Sequence, residues 1–297
     1  MGMQTDSARS TALPFELGEA RSFGGLTLVP LYPVVPPCAD YVGLDEATAG
    51  GLVVTEVDEA GSVETLLVVN PLGAAALLYE GEELAGAKQN RVLERSILVA
   101  AGSKLEIPAK CVEQGRWSYR SRRFAAAPRA AHPELRRLRH DLGAPSQRAV
   151  WGEVAAKSAR LGVRSATGAA EEMYTRRSAS LDEYVQALPR LDGQSGVIVG
   201  IAGELVCLDY VSRSDVFAGL YLKLLRGYAL SAIERPLDKP LRRRDLGRFL
   251  GELELAKRAA RPAVGLGEEG LLTEYAVGAE LSLDGEVIAL SAYPGQA

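Results

Sequence analysis

Residues 52–79 read LVVTEVDEAGSVETLLVVNPLGAAALLY. Three short apolar or alternating runs, Leu52–Val57, Val63–Val69 and Ala75–Tyr79, are broken at Ala60-Gly61 and Asn70-Pro71. Runs of this length, bounded by Gly, Pro and Asn, predict strands of an antiparallel sheet rather than helices. The pattern extends back to Leu26–Leu31 and forward through Val92–Val99 and Leu105–Val112, with further turn signals at Gly50-Gly51, Gly86 and Ala101-Gly102. Short strands so spaced favour a sandwich or barrel, in which packing or closure hides the strand edges.

Past Phe124 the period changes. Pro133 suits a first helical turn, and Leu135, Leu138 and Leu142 follow at helical spacing. A second helix presents Val150, Trp151, Val154 and Leu161 and stops near Gly162, and Ser180 with Glu183 reads as a capping box before a third that ends at Pro189. The last third mixes both periods. Gly196–Ile201 and Leu205–Val211 form a predicted hairpin around Ala202-Gly203. Ser212 and Asp215 then open a long helix with Val216, Leu220, Leu224, Tyr228 and Ile233 near one face. Another helix is expected from Arg243 to Ala260, then a strand Leu271–Val277 and a hairpin closed by Asp284-Gly285. The fold class is therefore α+β: an antiparallel sandwich- or barrel-like N-terminal half packed with a helical and mixed α/β C-terminal half. The expected boundaries are a flexible tail 1–21, a β-rich region 22–128, a helical segment 129–190 and a mixed region 191–297, packed with the β half as one unit.

The 297 residues contain 47% hydrophobic and 24% charged side chains, a globular composition. The net charge of −4 argues against a generic nucleic-acid binder. Cys38, Cys111 and Cys207 form no C-x-x-C, so neither a disulfide framework nor a thiolate metal site is encoded, which suits a reducing cytoplasm. The first twelve residues lack the apolar stretch of a signal peptide, and no apolar run is expected to span a membrane. Oligomeric state is not encoded in any motif.

Gly265–Gly270 spells G-x-G-x-x-G but precedes a strand-like run, and Glu268 and Glu269 would face any pyrophosphate, so the dinucleotide reading fails. Gly81–Lys88 misses a P-loop because Ala87 intervenes before the lysine and Gln89 replaces the hydroxyl residue. His132 and His140, eight positions apart, are too distant along a helix to share a metal, and the default places both on a helix surface.

The segment 116–139 carries Arg116, Arg120, Arg122, Arg123, Arg129, Arg136, Arg137 and Arg139 with Glu134 as its only acid, and Trp117, Tyr119 and Phe124 interleave. Cations beside aromatic faces suit phosphates and stacked bases, although such a run also serves as a solvated, ion-paired surface. A second cluster, Arg242, Arg243, Arg244 and Arg248, opens a helix, where the dipole disfavours cations and so implies an anionic partner or acidic neighbour such as Glu252 or Glu254. The densest polar grouping is Glu80-Gly81-Glu82-Glu83 followed by Lys88-Gln89-Asn90-Arg91, inside an apolar strand pattern. Glu113-Gln114-Gly115-Arg116-Trp117 follows the strand ending in Cys111-Val112, and neighbouring strands would bring both sets to one rim. Acids and amides there suit sugar hydroxyls or a hydrated divalent cation, and Lys88 and Arg91 an anion.

On these residues, Glu80-Gly81-Glu82, Gly86-Ala87-Lys88-Gln89-Asn90-Arg91 and Cys111 to Trp117, the sequence resembles the ARG and rhodanese-phosphatase superfamily-associated protein domain, a prokaryotic family of unassigned activity. The resemblance continues through Gln147, Trp151 and the 196–211 hairpin, over most of Phe23–Tyr293. It implies traffic in ADP-ribose or another phosphorylated nucleotide derivative, and a shared site of Glu80, Glu82, Lys88, Gln89, Asn90, Arg91, Glu113, Arg116 and Trp117. The leading expectation is a small anionic ligand, with Lys88, Arg91 and Arg116 on phosphates, Gln89, Asn90 and the carboxylates on ribose hydroxyls, and Trp117 stacked on a base. Arg116→Ala is then expected to abolish binding while leaving the melting curve nearly intact. Two alternatives stay open: a hydrolase or transferase with Glu82 or Glu113 as general base or several carboxylates on a divalent cation, and an adaptor docking an acidic partner.

Overall fold

The computed structural model describes residues 13–142 and 145–295. In chain order the elements begin with β1 (Phe15–Leu17), β2 (Arg21–Phe23), β3 (Leu26–Pro33), β4 (Tyr41–Gly43), α1 (Leu44–Ala49), β5 (Val53–Glu56), β6 (Thr65–Asn70), β7 (Ala75–Leu78) and β8 (Glu82–Gly86). Next come β9 (Arg91–Leu93), β10 (Ile97–Val99), β11 (Ser103–Cys111), β12 (Phe124–Ala130), α2 (Pro133–Leu142), α3 (Gln147–Arg160), α4 (Glu171–Arg176) and α5 (Ser178–Ala187). The last third adds β13 (Gly196–Ile201), β14 (Glu204–Val211), α6 (Ser214–Glu234), α7 (Arg243–Leu255), β15 (Lys257–Pro262), β16 (Glu268–Thr273), β17 (Ala276–Leu283) and β18 (Glu286–Pro294).

Five strands of 52–112, β5, β6, β8, β9 and β11, close with β12 into a barrel in the order β11-β6-β5-β12-β8-β9. Closure removes free strand edges, and the inward side chains Leu66, Val68, Leu84, Leu93 and Ile107 fill the interior. A small sheet, β10-β7-β4, lies beside it and shares that core through Ala76, Leu78 and Ile97. The rest of the strands form one large antiparallel sheet, β1-β3-β13-β14-β18-β17-β16-β15, with β2 on β3. One face of that sheet takes α6 and the other takes α7 through Phe249 and Leu253.

Helix α6 is buried nearly all round, by Phe217, Tyr221 and Leu225 as well as by the expected Val216, Leu220, Leu224 and Tyr228. It lies against β12 and the 130–131 backbone because Gly227 has no side chain: a Cβ there would stand 3.0 Å from the carbonyl oxygens of Ala130 and Ala131. It is also long and apolar enough to cross a membrane by length and composition, which corrects the reading that no such run exists. With 72% of its most apolar window buried inside the molecule, its apolar surface is already covered.

Several boundaries differ from expectation. Phe15–Leu17 is a strand inside the expected tail, anchored because Phe15 packs 5.5 Å from the Tyr210 ring; residues 1–12 lie outside the described residues. Strand β2, which starts at Arg21 on the edge of the expected tail, and strand β3, within 22–128, belong to the large sheet, with Leu26 opposite Ile201 and Leu31 opposite Gly196. The run Val92–Val99 is two strands in two sheets, since Glu94 to Ser96 turn the chain between them. The helix expected to reach Ala260 ends at Leu255, and Lys257–Pro262 pairs with β16. Ser180 is inside α5, which starts at Ser178 after Arg177 and has no side-chain cap. The Asp284-Gly285 turn closes the β17–β18 hairpin as read, with Leu283 opposite Glu286.

Candidate functional site

The sequence-predicted residues fall into two sets, separated along β8. At one barrel mouth the β8–β9 turn carries Ala87, Lys88, Gln89 and Asn90, and Arg91 opens β9. Ala87 holds φ +38, a left-handed conformation that costs an L residue about 1–2 kcal/mol. It is clamped there: its N–H donates to Ser121 Oγ at 3.1 Å, and its carbonyl accepts from Arg116 Nη1 at 2.6 Å and from the Arg120 N–H at 3.0 Å. Local strain maintained by surrounding bonds is a mark of functional loops.

Arg116 is the clamp. It donates from Nε to Glu113 Oε2 at 2.9 Å, from Nη1 to the carbonyls of Ala87 and Ser118, and from Nη2 to the Gly86 carbonyl at 3.2 Å and Asn90 Oδ1 at 3.3 Å. Glu113 is fully buried and also accepts from Thr167 Oγ1 at 3.0 Å and the Asn90 N–H at 3.3 Å. Burial pushes its carboxyl up, but the Arg116, Thr167 and Asn90 donors outweigh that and hold it below the usual value. Both oxygens are engaged, so Glu113 is poorly placed to take a proton. Gln89 donates to the Gln114 carbonyl at 3.4 Å and Asn90 Nδ2 to Glu171 Oε2 at 3.1 Å.

Lys88 and Arg91 lie under the turn between β5 and β6. Lys88 Nζ donates to the carbonyls of Glu59 and Ala60 at 2.5 and 2.6 Å, and stands 5.3 Å from the Trp117 ring centroid and 5.1 Å from that of Tyr119. The guanidinium of Arg91 pairs with Glu56 at 3.2 Å, contacts Cys111 Sγ, and lies 5.6 Å from the Trp117 ring. Burial lowers the Arg91 pKa, and the Glu56 charge opposes that shift. Outside this layer, Trp117 is 46% and Tyr119 38% exposed. Arg122 covers the Tyr119 ring at 5.2 Å and pairs with Glu59 at 2.7 Å, and Arg120 reaches Glu171 at 3.6 Å. Arg123 is exposed with no carboxylate partner among the described residues.

Glu80 and Glu82 are elsewhere, in the interior between barrel, large sheet and helices. Both oxygens of Glu80 lie 3.0 Å from His140 Nε2, and Ser291 and Tyr293 hydroxyls donate to it at 3.1 and 3.4 Å. Burial opposes its ionisation, yet His140 and Arg136 hold its pKa below the usual value. Arg136 is paired with Asp209, which also accepts from Tyr79 at 2.7 Å and Tyr228 at 2.5 Å. Glu82 accepts from the Tyr79 N–H at 2.9 Å and pairs with Lys223 at 2.7 Å; Lys223 also meets Asp45 at 2.6 Å. These groups line a cavity of about 60 Å³. His132 is buried, against Glu153 at 3.2 Å, and the His140 side chain is only 2% exposed although the residue as a whole is half-buried, which corrects their expected surface position. Of the arginine-rich segment, Arg116, Arg129, Arg136 and Arg139 are buried in ion pairs. The cluster at the start of α7 is met by Glu252, one of the two acids expected, which pairs with Arg248, and by Asp245, which was not expected and pairs with Arg242 and Arg244; Glu254 makes no ion pair among the described residues.

Sequence reasoning missed Glu56, Glu59, Thr167, Glu171, Asp209 and Lys223. Glu56 and Glu59 had a signal, the acidic stretch 56–59 between two strands, whose charge is opposite to that of the basic segment 116–123; the others come from distant segments. Among the described residues, no group of three or more His, Cys, Asp or Glu side chains is arranged to hold a metal ion.

Fold and site together define an α+β protein whose closed barrel displays an aromatic, arginine-bearing loop over a layer of buried ion pairs. The chain belongs to the family described as ARG and Rhodanese-Phosphatase-superfamily-associated Protein domain, which matches residues 14–293. No curated protein and no solved structure matches it.

Proposed function

We propose that the protein binds an anionic, nucleotide-derived ligand, of ADP-ribose or phosphorylated-ribose type, on the outer face of Trp117–Arg123. The observation that carries this reading is the pair of exposed aromatic rings, Trp117 and Tyr119, set among the exposed cations Arg120, Arg122 and Arg123. A ring face stacks on a base, and exposed guanidinium groups meet phosphate oxygens. Arg116 acts in this reading as scaffold rather than as a phosphate ligand, because its donors are committed within the chain. Binding is favoured over hydrolysis, since Glu113 is engaged on both oxygens, by Arg116 on one and the Thr167 hydroxyl on the other, and Glu82 is held by Lys223 away from this face. The free thiols, with Cys111 and Cys207 buried and Cys38 exposed, agree with a reducing compartment, and we place the protein in the cytoplasm.

The test is incubation with ADP-ribose, NAD, nucleoside monophosphates and phosphorylated ribose, with and without magnesium or manganese, recording thermal shift and products by mass spectrometry. Stabilisation by an intact ligand is the expected result. Conversion of the ligand would replace binding by catalysis, and silence across the panel would sink the reading. Because the face is open surface, an acidic protein partner is the second reading; its binding would weaken steeply with salt.

A further inference from the structure

We infer that the turn between β5 and β6, residues 57–64, is a built-in anion that occupies the inner half of this site and yields it to a phosphate of the ligand. The inference rests on the ligand-binding reading above and concerns how that same site is regulated.

Three cations approach the Trp117 and Tyr119 rings, and each is met by oxygen from this turn or the residue before it. Lys88 Nζ is capped by the carbonyls of Glu59 and Ala60 at 2.5 and 2.6 Å. Arg91 Nη2 meets the Ser62 carbonyl at 2.9 Å and the Glu56 carboxylate at 3.2 Å. Arg122 Nη1 meets the Glu59 carboxylate at 2.7 Å. Oxygen acceptors converging on an ammonium and two guanidinium groups between aromatic walls are what a phosphate ester would supply. Lys88 and Arg91 are buried, so an incoming phosphate reaches them only if the turn lifts.

The turn is anchored at its Glu64 end, where the Ala109 N–H donates to the Glu64 carbonyl at 3.0 Å and Lys110 pairs with its carboxylate at 2.8 Å, while its tip, residues 58–62, rests on Lys88, Arg91 and Arg122. Gly61 sits at φ +74 against Lys88, where a Cβ would stand 3.2 Å from Lys88 Cδ and 3.4 Å from Glu56 Oε2. Its internal bonds are those from the Gly61 N–H to the Asp58 carbonyl at 3.2 Å and to Asp58 Oδ1 at 2.8 Å, and those from the N–H groups of Glu64 and Thr65 to Ser62 Oγ. The Arg122–Glu59 pair is exposed on both sides, and such pairs contribute little. Apparent affinity in such an arrangement is the intrinsic affinity reduced by the fraction of molecules with the turn open.

The experiment compares the wild-type protein with Gly61→Ala, which crowds the turn off Lys88, and Glu59→Gln, which removes its exposed carboxylate. ADP-ribose and inorganic pyrophosphate are titrated calorimetrically, and amide hydrogen exchange of residues 57–64 is followed with and without ADP-ribose. Gly61→Ala is expected to bind about tenfold tighter, Glu59→Gln is expected to shift affinity in the same direction, and ligand is expected to accelerate exchange across the turn. If Gly61→Ala loses its cooperative melt, Glu59→Gln and the exchange data decide. Wild-type binding with equal affinity in the variants and unchanged turn exchange would overturn the inference and leave the ligand reading standing. Absence of binding to all three proteins would remove both.

Discussion

Arg116 shows how one side chain changes meaning between sequence and structure. Beside Trp117 in an arginine-rich run it reads as a phosphate ligand; in the structure it is buried and neutralises Glu113, which is itself without solvent contact. Removing one partner of a buried ion pair leaves an uncompensated charge and costs about 3–5 kcal/mol. Arg116→Ala is therefore expected to shift the urea unfolding midpoint strongly downward, which corrects the expectation of an intact melting curve. Arg116→Lys should recover little, since a point charge cannot replace five planar donors. An unchanged midpoint in the alanine variant would show that the Glu113 pair is not a stabilising clamp. Trp117 is the converse case. Its ring is half exposed, so Trp117→Ala should leave the melt within a degree or two while weakening nucleotide binding by about 1–3 kcal/mol, measured calorimetrically. Unaltered affinity would take the ring out of the site.

At the scale of elements, polar side chains tie helices that apolar stripes alone would leave free to slide. Lys157 of α3 is fully buried and reaches Glu134 of α2 at 3.2 Å, Glu234 of α6 at 2.6 Å and Ser231 of α6 at 2.8 Å. Burial works to raise the Glu134 pKa, but the His132 and Lys157 charges and the Ser231 hydroxyl prevail and hold it at about 2, from an ordinary 4.5. A carboxyl depressed in the folded state contributes stability above its unfolded pKa and loses it as pH falls through the folded one. The contribution of Glu134 is thus complete above about pH 4.5 and fades towards pH 2. Unfolding free energy measured from pH 6 to pH 2 should fall less steeply in Glu134→Gln than in wild type, and parallel curves would refute the tie. The same principle explains why β8 was not legible as a strand. Glu82 and Glu83 stand side by side and break any apolar alternation, yet both are buried because Lys223 and Arg129 arrive from other elements to neutralise them. Of the runs that were legible, Ser103–Cys111 prints a period of two in the sequence, with Leu105, Ile107, Ala109 and Cys111 between polar residues and Pro108, whereas Thr65–Asn70 is legible as a short continuous apolar run ended by Asn70-Pro71.

For the whole molecule, the connection between barrel and large sheet decides whether the halves are separable. Strand β3 comes from the N-terminal third but pairs with β13, and the interior carboxylates Glu80 and Glu82 depend on His140, Ser291 and Lys223 from the rest of the chain. Fragments 22–128 and 129–297 expressed separately are expected to lack cooperative melts, because each would expose buried charge and an unpaired sheet edge. A sharp calorimetric transition in 22–128 alone would show that the barrel is an independent unit.

The sequence by itself determined the α+β class, the strand-rich character of 52–112, the position of the long helix Ser214–Glu234 and the hairpins at Ala202-Gly203 and Asp284-Gly285, since all of these follow from local periodicity and turn chemistry. Only the tertiary structure decided that the strands close into a barrel, that Glu80 and Glu82 part company with Lys88 and Arg91, and which cations remain outside. Those outcomes depend on pairing between residues far apart in the chain. The energy of a charge is set by the partner that folding brings to it, and no local pattern records which one arrives.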